Sequence, residues 1–508
     1  MKKRLLSLLL VGVMALGLVA CSQSEDVATD ESAETTEVKE TFTYAIQSDT
    51  GNTLNYFTTD TREGMSFIKM INEPLFTLSA DGSYNFYSAE SFETTDGLTY
   101  ICKVKSETKW SDGEALTADD VVFTFETYAA QDTTGSFDGV AFNKVDDTTV
   151  EFVLSSAMAS FPETISDVNL LPKHVFEGRD SLDMNMNEDT IVGSGPYMFE
   201  EYVSGQYIKA VKNPYYVNGE TNIDTVIYQI ITDNQTAKAA LQNGEVDAWI
   251  ATASQLDGLE DFTITPYSEG RVAYVRINRV SENMQDADYR KGVLTALNRE
   301  EIMVAAYNSL DYATISYSFL PATNGYYTED VEKYDQDIEA AKKLVADGPT
   351  DLSICYIGAD PAQTAQAQVI QAQLKEVGIK VELYGLEQAA YVETAYDNED
   401  TTYDMYLGGY IMTIDPDGYK GMFGTGQMIN YANDELDALF AAGLVETDSA
   451  KRAEIYAEAQ QLVADEALFY PFGTNLRIIV TNPSLQGIDE AVLAPIYTFE
   501  DMSKLYFE

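Results

Sequence analysis

The chain has 508 residues and a formal net charge of −52 at pH 7, and 45% of its residues are hydrophobic. Nucleic acids and anionic membrane surfaces repel so negative a chain, which excludes both as expected partners. A chain of this length and apolar content can bury a large core and is expected to divide into about two to four domains.

The N-terminus has the pattern of an export signal. A basic start at residues 2–4 precedes an uncharged apolar stretch, 5–20, and Cys21 follows directly. The stretch is shorter than the ~20 residues that a membrane-spanning helix needs. The layout resembles the bacterial lipobox, in which the cysteine takes a lipid and becomes the N-terminus after cleavage. We therefore expect residues 1–20 to be a lipoprotein signal peptide and Cys21 to carry the lipid.

Residues 21–40 are rich in acidic and small polar side chains and contain few sizeable apolar ones. Such a segment cannot bury enough surface to offset the entropy lost on ordering. We therefore expect a disordered acidic tether between the lipid and a folded body, in which the first strand begins at Thr41.

Regular elements then follow one another along the chain. Alternating side chains over 99–110 predict a strand, and the Thr117 and Asp120 pair is a capping-box pattern that opens a helix. A short helix over 236–242 leads to a strand over 246–250.

The later part of the chain repeats this alternation. A strand at 351–358, a helix between Asp360 and Gly378 and a strand at 379–383 predict a parallel pair joined by a crossover helix. Further helices are predicted at 287–307, 433–446 and 449–466. Together these elements indicate an α/β protein with more than one lobe.

Few residues support catalysis or a cofactor. The sole histidine, His174, lies between apolar neighbours and is interpreted as structural, and Cys102 and Cys355 are interpreted as buried thiols. We expect no metal and no cofactor, because zinc sites and histidine triads need more such residues. Asp415 and Asp417 could form a glycosidase-like pair, but a turn at the intervening proline is the favoured interpretation.

Eight segments, read in order, carry a family resemblance. They are INEPLFTLSADGSYNF, WSDGEALTADDVVFTFE, LLPKHVFEG, VGSGPYMFEEY, VKNPYY, ALQNGEVDAWI, DADYRKGVLTALNREEI and LKEVGIKVEL. Together they closely resemble the extracytoplasmic oligopeptide- and dipeptide-binding proteins of ABC importers, solute-binding protein family 5 of the peptide/nickel-binding type. The resemblance covers about residues 41–508.

The resemblance implies a two-lobed, periplasmic-binding-protein-like fold of type II, of the large peptide-binding class with an extra inserted subdomain. The implied parts are a first lobe of 41–272 plus 480–508, an insertion at about 88–190 and a second lobe of 273–479. Two strands, near 271–278 and near 475–480, would cross between the lobes and act as hinges. The ligand would lie in the cleft between the lobes.

The resemblance also suggests binding residues. Peptide-binding relatives often have a Trp-x-x-Asp segment whose carboxylate pairs with the peptide amine, but ungapped alignment on Asp415-Pro416-Asp417 places Gly409 and Met412 at those two positions. Asp415 could take over the amine contact. The candidate ligand-binding residues are Gly409, Tyr410, Asp415 and Asp417 in the second lobe, Trp249 in the first, and Asn278 beside a hinge.

The resemblance predicts no enzyme but a monomeric, extracytoplasmic receptor that is anchored to the cell membrane by its lipid. It would capture oligopeptides and deliver them to ABC permease subunits. No arginine lies near residue 359 and no histidine lies in the C-terminal half, which disfavours a dedicated dipeptide binder and a nickel binder. An oligosaccharide-binding member of the family, a peptide-signal sensor and a surface hydrolase are the alternatives.

Overall fold

A computed structural model describes residues 39–508 except residues 60, 80–81, 133–134, 413–414 and 430. The predicted signal peptide, Cys21 and the tether up to residue 38 lie outside the described residues. Within the described part, no helix combines the length and the apolar character that crossing a bilayer requires.

Helices and strands alternate along the chain, as the sequence predicts. The helices are α1 (Arg62–Ile71), α2 (Ala118–Gln131), α3 (Phe161–Ile165), α4 (Lys173–Phe176), α5 (Asn234–Gln242), α6 (Ala287–Thr295), α7 (Arg299–Tyr307), α8 (Ile338–Val345), α9 (Pro361–Glu376), α10 (Gln388–Ala395), α11 (Lys420–Phe423), α12 (Asp434–Val445), α13 (Ser449–Asp465) and α14 (Ile488–Ala491). The strands are β1 (Thr41–Ile46), β2 (Thr53–Leu54), β3 (Phe76–Leu78), β4 (Tyr84–Phe86), β5 (Ala89–Thr94), β6 (Thr99–Val104), β7 (Val140–Asp146), β8 (Thr149–Leu154), β9 (Met184–Asn185), β10 (Tyr197–Val203), β11 (Tyr207–Lys212), β12 (Thr225–Ile230), β13 (Ala248–Ala251), β14 (Thr263–Ser268), β15 (Val272–Ile277), β16 (Ala313–Ile315), β17 (Asp351–Ile357), β18 (Lys380–Leu386), β19 (Met405–Tyr410), β20 (Phe469–Thr481), β21 (Leu485–Gln486), β22 (Leu493–Ala494), β23 (Thr498–Phe499) and β24 (Tyr506–Phe507).

A 12-stranded sheet runs through the molecule in the order β10-β11-β12-β1-β13-β20-β15-β19-β17-β18, with β14 and β16 also paired to β20. The long strand β20 joins its two parts. The C-terminal half of β20 pairs with β13 and β14, and its N-terminal half pairs with β15 and β16. The chain therefore has a continuous strand at the place where one half of the sheet meets the other.

A second connection lies beside the first, because β14 leads into β15 through residues 269–271. The carboxylate of Glu269 accepts from both Arg62 and Arg477, so one buried acid ties α1 to β20 at this crossing. Gly473 in β20 has no room for a side chain, since an added Cβ would collide with the carbonyl oxygen of Thr314. The hinge role of these strands stays a prediction.

The apolar core is divided into clusters that follow the chain. The largest draws on residues between Val272 and Phe472, and a second combines residues of 42–267 with residues of 479–507. A third, aromatic-rich cluster covers the four-stranded sheet β5-β6-β8-β7 and helix α2. The predicted lobe boundaries themselves stay a prediction.

Most predicted elements are confirmed, with their caps. The backbone N–H of Thr117 donates to the Asp120 carboxylate at 2.8 Å at the start of α2, and Asp360 caps α9. Strands β17 and β18 are parallel, as predicted. Cys102 and Cys355 are free and buried, as predicted.

Two boundaries were wrong. The predicted helix at 287–307 is two helices, α6 and α7, because the side chain of Asn298 accepts from the backbone N–H of Glu301 and caps a new helix. The predicted strand at 99–110 ends at Val104, and Thr108 N–H turns back to the carbonyl oxygen of Lys105.

Candidate functional site

A cleft of about 530 Å³ opens where the first part of the chain faces the loop after β19. Its volume falls within the range of pockets that hold organic ligands. It is lined by Tyr56, Phe57, Tyr128, Asp132, Ser136, Phe137, Ser160, Glu163, Thr164, Asp167, Val168, Asn169, Asp415, Asp417 and Gly418. Two of the six predicted ligand-binding residues, Asp415 and Asp417, are in this set.

One wall of the cleft is aromatic. The rings of Phe57 and Tyr128 are stacked with their centroids 4.5 Å apart, and Phe57 remains 37% exposed. The hydroxyl of Tyr128 donates to the carbonyl oxygen of Asn169 at 2.8 Å. The hydroxyl of Tyr56 donates to the carbonyl oxygen of Val192 at 2.8 Å. Burial raises the pKa of both tyrosines, so their hydroxyls stay uncharged, and each ring is held in place by its own hydrogen bond.

The opposite wall is a turn that Asp415 begins. Asp415 caps the 3-10 segment Pro416–Tyr419 and accepts from the backbone N–H of Asp417 at 2.8 Å. The same carboxylate pairs in a bidentate manner with Arg452 of α13, with Nη1–Oδ2 at 2.6 Å and Nη2–Oδ1 at 2.7 Å. Both side chains are largely buried, at 12% and 6% exposure. The charge of Asp415 is therefore neutralised from behind the cleft.

Asp417 lies in a different environment, although it is only two residues away. Its Oδ1 is shielded from solvent and has no hydrogen-bond partner among the described residues. Burial, and then the neighbouring charge of Asp415, raise the pKa of Asp417 to about 6, against the opposing effect of Arg452 and Lys420. A cation from a ligand would relieve both penalties. Asp417 is thus better suited than Asp415 to hold a ligand amine.

The other predicted site residues lie away from the set that lines the cleft. Gly409 is in β19, where an added Cβ would collide with the guanidinium of Arg271. Tyr410 is 7% exposed, and its hydroxyl donates to the carbonyl oxygen of Phe319. The absence of a side chain at Gly409 thus accommodates the arginine, and Tyr410 packs inward.

Trp249 and Asn278 are buried as well. Trp249 is fully buried in an apolar cluster with α5 and β20, and its indole N–H has no partner among the described residues. The side-chain amide of Asn278 donates to the carbonyl oxygens of Asp400 and Tyr403 at 2.8 and 2.7 Å, which ties a loop beside β15. Direct ligand contact by these residues, and by Gly409 and Tyr410, stays a prediction.

The sequence did not indicate the aromatic wall. It is assembled from separate segments around Tyr56, Tyr128 and Asn169, and no local pattern marks any of them. Only the fold brings them to face Asp417.

No group of three or more metal-ligating side chains occurs among the residues that the structure describes. His174 lies near the surface with its Nε2 2.7 Å from the Asp112 carboxylate, away from the cleft lining. Nothing in the described part of the cleft therefore indicates a metal centre.

Comparison with known proteins gives consistent findings. A family model described as bacterial extracellular solute-binding proteins, family 5 (middle region), matches residues 87–430. The oligopeptide-binding protein AppA of Bacillus subtilis (strain 168) is 29% identical over 423 residues, which cover 75% of this chain and 77% of that protein.

Solved structures of binding proteins superpose on this chain over most of its length. The ABC transporter substrate-binding protein CtaP of Listeria monocytogenes superposes with a TM-score of 0.87 at 33% identity, covering 93% of this chain and 100% of that chain. AppA of Bacillus subtilis in complex with a nonapeptide superposes with a TM-score of 0.72 at 22% identity, covering 93% and 100%. The predicted two-lobed α/β fold of these binding proteins is confirmed.

Proposed function

The chain belongs to family 5 of the bacterial extracellular solute-binding proteins, which are binding proteins and not enzymes, and from this membership we propose that it captures peptides in the cleft between its lobes. The protein would then deliver them to the permease of an ABC importer. A lipid on Cys21 would keep the receptor at the membrane that holds the permease.

The observation that carries the proposal is Asp417. It is a carboxylate with a shielded oxygen that has no hydrogen-bond partner among the described residues and with a raised pKa, in a cleft that is also lined by Tyr56, Phe57 and Tyr128. The free amine of a peptide is a compact cation that can donate up to three hydrogen bonds to such a group. Because Asp415 is already paired with Arg452, the amine contact falls to Asp417.

An edge of β19, the strand that precedes the Asp415 turn, supports main-chain recognition. Residues Leu407–Tyr410 of β19 pair with β15 on one side, whereas β17 pairs with β19 only at Met405 and Tyr406. Among the described strands, the remaining edge of β19 has no partner. An extended peptide can add to such an edge through main-chain hydrogen bonds, which give affinity without a strict sequence preference.

The test uses the purified protein, stripped of ligand by partial unfolding and refolding. It is incubated with a mixed protein digest, washed, and the retained molecules are identified by mass spectrometry. We expect peptides to be enriched by the parent protein and by Asp347→Asn, an exposed acid outside the cleft, and to be lost with Asp417→Asn. If no peptide is retained while oligosaccharides bind, the sugar-binding alternative replaces this proposal.

The amine contact is tested separately by titration calorimetry with one peptide in free and N-acetylated form. A lost charge-assisted hydrogen bond is expected to weaken binding by about 1.5–3 kcal/mol. The difference between the two peptides should disappear in Asp417→Asn. An equal difference in parent and variant would place the amine elsewhere.

Anchoring and delivery need cellular tests. Cys21→Ala should move the protein from the membrane fraction to the medium or the soluble extracytoplasmic fraction. Deleting the gene should impair growth on peptides as the nitrogen source. Normal growth together with a lost response to a peptide signal would instead favour the sensor alternative.

A further inference from the structure

We propose that the cleft prefers peptides with an aromatic side chain near their free amine, and that Phe57 is the residue that this side chain contacts. The preference deepens the proposed function and rests on it. Five of the fifteen lining residues are aromatic or aliphatic, namely Tyr56, Phe57, Tyr128, Phe137 and Val168. The cleft therefore contains an apolar patch and not a single exposed ring.

Phe57 differs from its neighbours in the wall by its exposure. Tyr56 and Tyr128 are buried, whereas Phe57 is 37% exposed although its ring is stacked on Tyr128. Single exposed apolar residues are normal on a protein surface, but an exposed ring among other apolar side chains in a cleft is typical of a binding site. The part of the Phe57 ring that Tyr128 leaves uncovered is the surface that a ligand would cover.

The turn that carries Phe57 is fixed by Asn55. The side-chain oxygen of Asn55 accepts from the backbone N–H groups of Phe57 at 3.0 Å and Thr58 at 2.9 Å. The Asn55 backbone also exchanges hydrogen bonds with Thr59, and its amide donates to the Asp183 carboxylate at 2.8 Å. The exposed ring therefore belongs to a preformed turn, and a ligand that covers it does not bear the entropy cost of ordering a loop.

The hydroxyl groups of the wall are already engaged. The hydroxyls of Tyr128 and Tyr56 each donate to a main-chain carbonyl oxygen, those of Asn169 and Val192. A phenol has one hydrogen to donate, so neither tyrosine has a free donor for a ligand. A sugar ring needs hydrogen bonds as well as stacking, whereas an apolar side chain needs only the ring surface. The wall therefore suits an apolar side chain better than a sugar.

An aromatic side chain has an advantage over an aliphatic one. The rings of Phe57 and Tyr128 are 4.5 Å apart between centroids, with an angle of 29° between their planes. A third ring can extend this stack or approach its edge, and such pairs are more favourable than the buried area alone accounts for. An aliphatic side chain gains only the area. A lysine could also lie over the ring, and it is the main competitor in the test.

The expected position of the aromatic residue follows from Asp417. Asp417 lines the same cleft and, in the proposed function, holds the peptide amine. Each residue of an extended peptide spans about 3.5 Å, so a cleft of about 530 Å³ holds only the first few residues. The aromatic residue is therefore expected among about the first four.

The test uses nonapeptides with a free amine that begin with four alanines and continue with serines. One alanine at a time is replaced by phenylalanine, leucine or lysine, and binding to the ligand-stripped parent protein is measured by calorimetry at about 0.3 M salt, where charges are screened. At one of the four positions the phenylalanine peptide should bind about threefold to tenfold tighter than the alanine peptide. Leucine should lie between them, and lysine should bind no tighter than alanine.

Variants of exposed phenylalanines locate the effect. Phe57→Ala should reduce the phenylalanine preference to about twofold or less, and Phe57→Tyr should keep it. Phe86→Ala is the matched control, because Phe86 is 38% exposed and is stacked on Tyr84 but lies in β4, outside the cleft lining. It should retain the full preference. If Phe57→Ala fails to fold, Phe57→Leu decides, since phenylalanine and leucine peptides should then bind equally.

The outcomes separate this preference from the proposed function. Equal binding of the phenylalanine and alanine peptides at all four positions overturns the inference and leaves the proposed function in place. A preference that Phe57→Ala retains, or tightest binding of a lysine peptide, has the same consequence. Binding of no peptide at all overturns the proposed function as well.

Discussion

Replacing Asp417 is expected to stabilise the free protein at neutral pH while it removes ligand binding. The pKa of this carboxyl rises from its ordinary value of 3.8 to about 6, first through burial and then through the charge of Asp415. Ionising the group therefore costs more in the folded chain than in the unfolded chain. Asp417→Asn keeps the shape of the side chain and removes the charge.

The magnitude and its pH window follow from linkage. Between about pH 4 and pH 6 the unfolded chain has released this proton and the folded chain still holds it, so stability falls as pH rises by about 1.4 kcal/mol per pH unit. Above pH 6 the full penalty, up to about 3 kcal/mol, is present, and below pH 4 it is absent. We expect Asp417→Asn to gain close to this amount at pH 8 and nothing at pH 4.

The assay is urea unfolding of ligand-free protein at both pH values, with Asp347→Asn as an exposed control that should change stability little. Carboxyl-carbon NMR of labelled aspartate reads the pKa of Asp417 directly. A gain of equal size at pH 4 and pH 8 would refute the linkage argument, and so would a pKa near 3.8. Loss of stability at pH 8 would mean that Asp417 is paired in the free protein.

Three further outcomes are expected. Arg452→Met removes the cation that balances the largely buried Asp415 carboxylate and should cost about 3–5 kcal/mol in urea unfolding, most of which a second change, Asp415→Asn, should restore. Gly409→Ala should cost about 1–3 kcal/mol because its methyl group displaces the guanidinium of Arg271, whereas Gly421→Ala, which has open space around it, should be neutral or slightly stabilising. Burial raises the pKa of the Cys102 and Cys355 thiols to about 12. In a chain without Cys21, a thiol reagent at pH 8 should therefore label neither cysteine until the protein is unfolded. Rapid labelling of the native protein would contradict their burial.

Local signals predicted the elements well where a cap is encoded within a few residues. Thr117 with Asp120, and Asp360 before Pro361, mark helix starts that the structure confirms. The break between α6 and α7 was missed because Asn298 reads equally well as a helix residue until its side chain is seen to cap the next turn. The order of helices and strands along the chain is therefore more predictable than the residues at which they begin and end.

The site was predictable only in part. Asp415 and Asp417 were identified as a pair, but their roles differ because Arg452, which is 37 residues from Asp415 in the chain, reaches one and not the other. The aromatic wall around Phe57 and Tyr128 depends on packing between distant segments, which sequence spacing does not encode. Trp249 illustrates the converse, since an aromatic residue that is suggestive in sequence is fully buried in the core.

The Asp415 and Arg452 pair explains how an unfavourable acid can persist at Asp417. The bidentate contact fixes the turn that begins at Asp415, and with it the backbone from which the Asp417 side chain extends. The free protein thus retains a destabilising charge at the cleft. A ligand cation that contacts Asp417 removes this cost, and the amount removed adds to the binding free energy.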